Sequence, residues 1–144
     1  MTDKRNAEAD GSETRSVVIE RSYPYPPDRL WRALTRPELL SEWLMQTDFT
    51  DAPGGQFRFT ADWGGVDCTL LTFEPQHRLS YSWGDGTLDT IVTWTLTPTA
   101  AGTDLRMEQS GFRTDQPRYY GGAKAGWPQF FDNLETLLGT GRDL

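Results

Sequence analysis

Apolar residues recur along this chain with two different periods, and the change of period divides it into elements. From Gly54 to Phe112 the period is two: Phe57, Phe59, Ala61 and Trp63 alternate with Gln56, Arg58, Thr60 and Asp62, which predicts a strand with one apolar and one polar face. VDCTLLTFEP reads as the next strand, ending at Pro75. Leu79, Tyr81 and Trp83 then alternate with Ser80 and Ser82, Val92, Trp94 and Leu96 with Thr93, Thr95 and Thr97, and Leu105 and Met107 with Arg106 and Glu108. Turn signals separate these runs: WGG at Trp63 to Gly65, EPQH, GDG at Gly84 to Gly86, and TAAGTD. The pattern is that of antiparallel strands joined by hairpins.

On either side of the strands the period becomes helical. SVVIERSY, from Ser16, reads as a first strand, and PYPPDRLWRALTRPELLSEWL then carries one stripe on Leu30, Trp31 and Leu34 and another on Leu39, Leu40, Trp43 and Leu44. Two short helices are predicted there, the second opened by a capping box of Thr35 and Glu38. At the far end GWPQFFDNLETLLG places Trp127, Phe130, Phe131, Leu134, Leu137 and Leu138 on one helical face, with Pro128 in the first turn and Gly139 as the stop. FRTDQPRYYGGAKAG, before it, reads as a loop or a loosely formed helix start. A meander of twisted strands curls into a concave apolar surface, and a straight helix across it leaves space, so the order predicts an α+β fold with an aromatic-lined cavity.

Composition sharpens this picture. With 144 residues one domain is expected, residues 16–140, behind a polar and disordered tail at 1–15. Only 36% of residues are hydrophobic, yet six are Trp, so the apolar mass sits in a few large side chains. A net charge of -7 with scattered Lys and Arg argues against nucleic acid as a partner. No apolar run long enough for a membrane span occurs, nor an h-region of a signal peptide, and a single cysteine, Cys68, suits a reducing cytoplasm.

Candidate chemistry is sparse. One His (His77, in the EPQH turn) and one Cys do not supply the closed ligand set of a metal site, a Ser/His/Asp triad would have to use that same His with nothing resembling a nucleophile elbow, and the paired glycines read as turn residues rather than a phosphate loop. No metal, cofactor or catalytic residue is assigned. Asp62, Asp67, Asp89 and Glu108 alternate with apolar neighbours and read as charges on the solvated face; any of them facing the cavity would have its pKa raised by desolvation and could act as acid or base. Arg58 and Arg106 carry the same ambiguity, and an inward one would bind a ligand carboxylate.

The segments VIERSYPYPPDRLWRALTRPELLSEWL, LTFEPQHRLSYSW, TIVTWTLTPTAAGTDLRMEQSGF and GWPQFFDNLETLL together resemble the SRPBCC or START-like superfamily, in its activator of Hsp90 ATPase (AHSA1-like) branch. The likeness runs from Ser16 to Leu138, and its most specific pieces are Pro26 to Thr35, Pro37 to Trp43, Ser110-Gly111-Phe112 and Gly126-Trp127. It implies a helix-grip (START/Bet v 1-like) fold: a curved antiparallel sheet around a long C-terminal helix, two short helices after the first strand, and a deep hydrophobic cavity. Members resemble carriers, sensors or, less often, enzymes for small apolar molecules. The chaperone activity behind the family name also depends on a separate N-terminal domain for which this chain has no room, so an Hsp90 role is not expected.

The leading expectation is therefore a carrier or sensor of a small hydrophobic or aromatic molecule, held between the sheet and the last helix. Trp43, Phe59, Trp63, Tyr81, Trp94, Met107, Trp127 and Phe131 are the expected lining, because buried Trp and Tyr need partners for their N–H and O–H groups that a ligand or water would supply. Each of these aromatics also has a reading as plain core. A cyclase, dehydratase or hydrolase using a cavity carboxylate is the runner-up, and a chaperone-adaptor interaction module the third reading. Homodimerisation is compatible with all three.

Overall fold

The computed structural model describes residues 13–141 and Leu144, so most of the tail expected at 1–15 lies outside the described residues. The elements in chain order are β1 (Thr14–Tyr23), α1 (Pro27–Thr35), α2 (Pro37–Trp43), β2 (Gln46–Thr47), β3 (Gln56–Ala61), β4 (Gly64–Glu74), β5 (Arg78–Gly84), β6 (Asp89–Pro98), β7 (Thr103–Arg113) and α3 (Pro117–Leu138). The seven strands form one antiparallel sheet in the order β1-β7-β6-β5-β4-β3-β2. Hairpins set the run from β3 to β7, and β1 closes it by pairing along β7. Because β1 and β2 lie on opposite edges, α1 and α2 carry the chain across the sheet between them. α3 packs against β1, β7 and both short helices. This is the helix-grip arrangement.

Alternation decides the faces as the sequence suggests. Phe57, Phe59, Leu79, Tyr81, Trp83, Val92, Trp94, Leu96, Leu105 and Met107 are all buried under α3 and the short helices. Their neighbours carry ion pairs on the solvated face, Arg58 with Asp67 and Arg106 with Glu20 and Glu108. In β4 the register shifts between Leu70 and Thr72, a bulge that leaves Leu70 buried and turns Leu71 to solvent.

The core is an aromatic stack rather than an aliphatic one. Trp94 at its centre meets Trp43, Trp127 and Phe131 at ring-centroid distances of 5.8, 5.7 and 5.8 Å. Tyr81 packs against Phe57 and Phe59 at 5.3 and 5.9 Å. Of the six-residue stripe on the last helix, Trp127, Phe131, Leu134, Leu137 and Leu138 are buried and Phe130 is half-buried. At about 1.5 to 3 kcal/mol for each large apolar side chain, those five contribute a gross ~7 to 15 kcal/mol before conformational entropy is charged against them.

Four local expectations are corrected. α3 begins at Pro117, ten residues before Trp127, so the Gly-rich segment PRYYGGAKAG is helix and not loop. Pro128 consequently sits inside a helix, where it withholds the N–H that the carbonyl of Lys124 would accept. No capping box forms: Arg36 is the N-cap of α2 and makes no side-chain cap, while the hydroxyl of Thr35 donates to the carbonyl of Trp31 at 2.7 Å within α1. β3 stops at Ala61, so Trp63 belongs to the β3–β4 turn and is 68% exposed. That turn is tight enough that Gly64 adopts φ +134 and a Cβ on Gly65 would collide with the carbonyl of Phe59.

Candidate functional site

Where the first half of α3 passes over the end of the sheet, the two surfaces part and leave a cavity of about 330 Å³ that is open to solvent. Its apolar wall is Trp83 from β5, Leu88 and Phe112 from the strand ends, Met45 from the stretch after α2, and Trp127 and Phe130 from α3. Helical periodicity explains the helix side: Tyr119, Gly122, Ala123, Gly126, Trp127 and Phe130 stand at i, i+3, i+4, i+7, i+8 and i+11, one face of the helix. The small residues among them leave the void that larger side chains would fill. Trp63 reaches the same space from the β3–β4 turn, its ring largely in solvent.

One polar group lies in this wall fully buried. Gln109, on β7, is 2% exposed and accepts through Oε1 from the indole N–H of Trp127 at 2.7 Å. Because an indole can only donate, the oxygen of the amide must face Trp127 and the nitrogen must face the other way. That nitrogen donates to the hydroxyl of Thr90 at 2.9 Å, and Thr90 in turn donates to the carbonyl of Trp83 at 2.7 Å. The direction of every hydrogen bond in the chain is thereby set. Gln109 is thus the one buried polar side chain in an otherwise apolar wall, held by bonds to Trp127 and Thr90.

Charge is confined to the cavity's open side. Arg118, in the first turn of α3, is the sole charged residue among those that line it. Tyr119, beside it, donates its hydroxyl to Asp85 at 3.1 Å. Asp85 also accepts from the backbone N–H groups of Leu88 and Thr87 at 2.7 and 2.9 Å, and these bonds hold its carboxyl below the usual carboxylate range.

The eight residues expected to line a site divide between two layers. Trp63 and Trp127 are on the cavity wall. Trp43, Phe59, Tyr81, Trp94, Met107 and Phe131 form the packed layer beneath, each 1% exposed or less. Their polar atoms find partners there without a ligand: the Trp43 indole donates to the carbonyl of Ala33 and the Trp94 indole to the hydroxyl of Tyr81, both at 2.9 Å. Burial pushes the Tyr81 phenol well up from its ordinary value and the Cys68 thiol to about 12, so neither ionises near neutrality. Asp62, Asp67, Asp89 and Glu108 are absent from the cavity lining, as are Arg58 and Arg106.

The residues that sequence reasoning passed over are Gln109, Arg118, Tyr119, Phe112, Leu88 and Met45. Two of them, Arg118 and Tyr119, follow from the start of the last helix, since helix over 117–126 would have placed Tyr119, with Gly122 and Ala123, on the Trp127 face. Gln109 carried a usable signal. It shares the inward parity of Leu105 and Met107, and a polar residue at an apolar position of a strand marks a specific partner or a site.

Elsewhere the surface offers less. A larger groove of about 420 Å³ opens beside Glu20, Arg21, Ser22, Asp104 and Arg106, but these groups satisfy one another or Asp132: Arg21 pairs with Asp132, Arg106 with Glu20, and Ser22 donates to Asp104. No group of His, Cys, Asp and Glu among the described residues could hold a metal ion. No helix of the structure is long and apolar enough to cross a membrane.

The fold has relatives of known structure. MLL2253 from Mesorhizobium loti is 55% identical, with a TM-score of 0.86 over 90% of this chain and 100% of that one. CalU16 from Micromonospora echinospora is 26% identical, with a TM-score of 0.76 over 88% of this chain and 78% of that one. DynU16, a protein of the dynemicin biosynthetic locus, is 29% identical, with a TM-score of 0.76 over 88% of this chain and 48% of that one. No curated protein matches the chain. Residues 24–139 match the family model described as activator of Hsp90 ATPase homolog 1-like protein, and with that span, four-fifths of its length, this chain belongs to the AHSA1-like family of the START-like superfamily.

Proposed function

We propose that this chain is a binding protein, a carrier or sensor, that takes a small hydrophobic or aromatic molecule into the cavity between the sheet and the first half of α3. The observation that carries the reading is the wall itself: about 330 Å³ lined by Trp83, Phe112, Trp127, Phe130, Leu88 and Met45 around the single buried amide of Gln109. Apolar area supplies affinity in such a site, and one fixed polar group orients the ligand. The space suits a molecule of one to three fused or linked rings.

The enzyme reading draws less support, because it asks for a carboxylate inside the cavity and none lines it. The adaptor reading asks for a contiguous apolar patch, whereas the exposed large apolar residues Val18, Trp63, Leu71 and Ile91 sit on β1, the β3–β4 turn, β4 and β6. The test is intrinsic fluorescence, since Trp63, Trp83 and Trp127 all line the space. Across a panel of aromatic acids, flavonoids, fatty acids and neutral polycyclic compounds, saturable quenching with a matching rise in melting temperature is expected. A Trp127→Phe variant should lose much of that signal. Silence across the panel from the folded protein would refute the reading.

A further inference from the structure

We infer that the ligand of this cavity is an acid: an apolar, ring-containing molecule bearing a carboxylate or another anionic oxygen group, which Arg118 holds at the mouth. The inference rests on the binding reading above and adds the ligand's charge and the residue that recognises it.

Three observations lead there. First, Arg118 is the only charged member of the lining, and no carboxylate is among the lining residues. Second, Arg118 makes no ion pair among the described residues. Arg21, Arg32, Arg58, Arg106 and Arg113 are each matched to an acid; Arg36 and Arg78 share Arg118's lack of an ion pair among the described residues, but of these three only Arg118 lines the cavity. Third, Arg118 stands in the first turn of a 22-residue helix that has no acidic residue in that turn. A cation there opposes the helix dipole and weakens the helix slightly, so its position is not explained by the stability of α3. Local rules broken without a structural gain point to function.

The chemistry fits the void. An aromatic body between Trp83, Phe130 and Trp127 would carry its acid group outward to the guanidinium, whose planar fork matches a carboxylate. Two features oppose an anion, and neither outweighs the contact. Asp85 lies near, but its carboxylate already accepts from Leu88, Thr87 and Tyr119. The net charge of -7 slows the approach of an anion, yet beyond a Debye length of about 8 Å it is screened at physiological salt.

Matched ligands separate this inference from the one beneath it. Binding of 2-naphthoate and of 2-naphthamide, equal in shape and different in charge, is measured by calorimetry on the full chain, on Arg118→Gln and on Arg118→Lys. The expected result is that naphthoate binds about tenfold tighter than the amide, a charge-assisted hydrogen bond's share. That ratio should fall to near one in Arg118→Gln, mainly through loss of naphthoate affinity, and lie between in Arg118→Lys. Added salt should weaken naphthoate alone. Equal binding of the two compounds to the natural chain, or a preference for the acid that survives Arg118→Gln, overturns the inference while leaving the cavity a binding site. No binding of either compound overturns it together with the proposed function. Folding does not confound the comparison, since Arg118 is exposed and its removal relieves the first turn of α3; Arg118→Gln should melt no lower than the natural chain.

Discussion

The indole nitrogen of Trp127 lies 2.7 Å from the side-chain oxygen of Gln109, and this bond ties the long helix to the last strand at the floor of the cavity. Both residues are buried, so each would be left with an unmet polar atom if the other were removed. Replacing Gln109 with Leu should therefore destabilise the fold by about 1 to 3 kcal/mol, the cost of stranding a buried donor. In the double variant Gln109→Leu with Trp127→Phe, the loss should be smaller than the sum of the two single losses. Urea unfolding of the four proteins measures that coupling directly.

Trp94 is the hub of the packed layer, touching Trp43, Trp127 and Phe131 and donating to Tyr81. Truncation to Ala should cost about 3 to 5 kcal/mol, the range for large aromatic side chains lost from a core. Trp63→Ala, on an exposed turn, should change stability by no more than about 0.5 kcal/mol. Thermal melts of the two variants would show one large shift and one near zero.

Gly121 lies on the exposed side of α3, and a Cβ there would meet nothing within 4 Å. Gly121→Ala should stabilise the protein by about 0.4 to 1 kcal/mol, mainly by restricting the unfolded chain. Because the benefit requires helix at this position, a gain in melting temperature also tests whether α3 starts at Pro117, and a loss would argue for a loop.

Stability should fall in alkali. Burial raises the Tyr23 phenol from 10.0 to about 12 and the Cys68 thiol from 9.0 to about 12. The fold thus prefers the neutral forms; their contribution is whole below the unfolded values and is lost as pH climbs from about 9 to about 12. Unfolding free energy measured across pH 8 to 12 should begin to drop near pH 9, and in Cys68→Ala the drop should begin nearer pH 10.

Strand faces and the final apolar stripe were legible because a strand's period of two and a helix's period of 3.6 are written in local order. Leu79, Tyr81, Trp83, Val92 and Trp94 are buried where alternation placed them. Boundaries were less legible. Glycines at 121, 122 and 126 and Pro128 argue locally against helix, yet Trp127 is buried and Tyr120 packs on Phe112 of β7 at 5.8 Å, which ties the helix from Pro117 onward to the sheet. Tertiary burial outweighed propensity there.

By itself, then, the sequence determined the α+β order, the inward faces and the family likeness, all of which depend on neighbours a few positions apart. Only the tertiary structure decided which aromatics are packed solid and which face open space. Trp94 and Trp127 share the same apolar signature, but one lies at the centre of the sheet beneath the helix and the other where helix and sheet diverge. The difference arises from the mismatch between a curved sheet and a straight helix. No single segment carries that mismatch, and it left Gln109, Arg118 and Trp127 around one cavity.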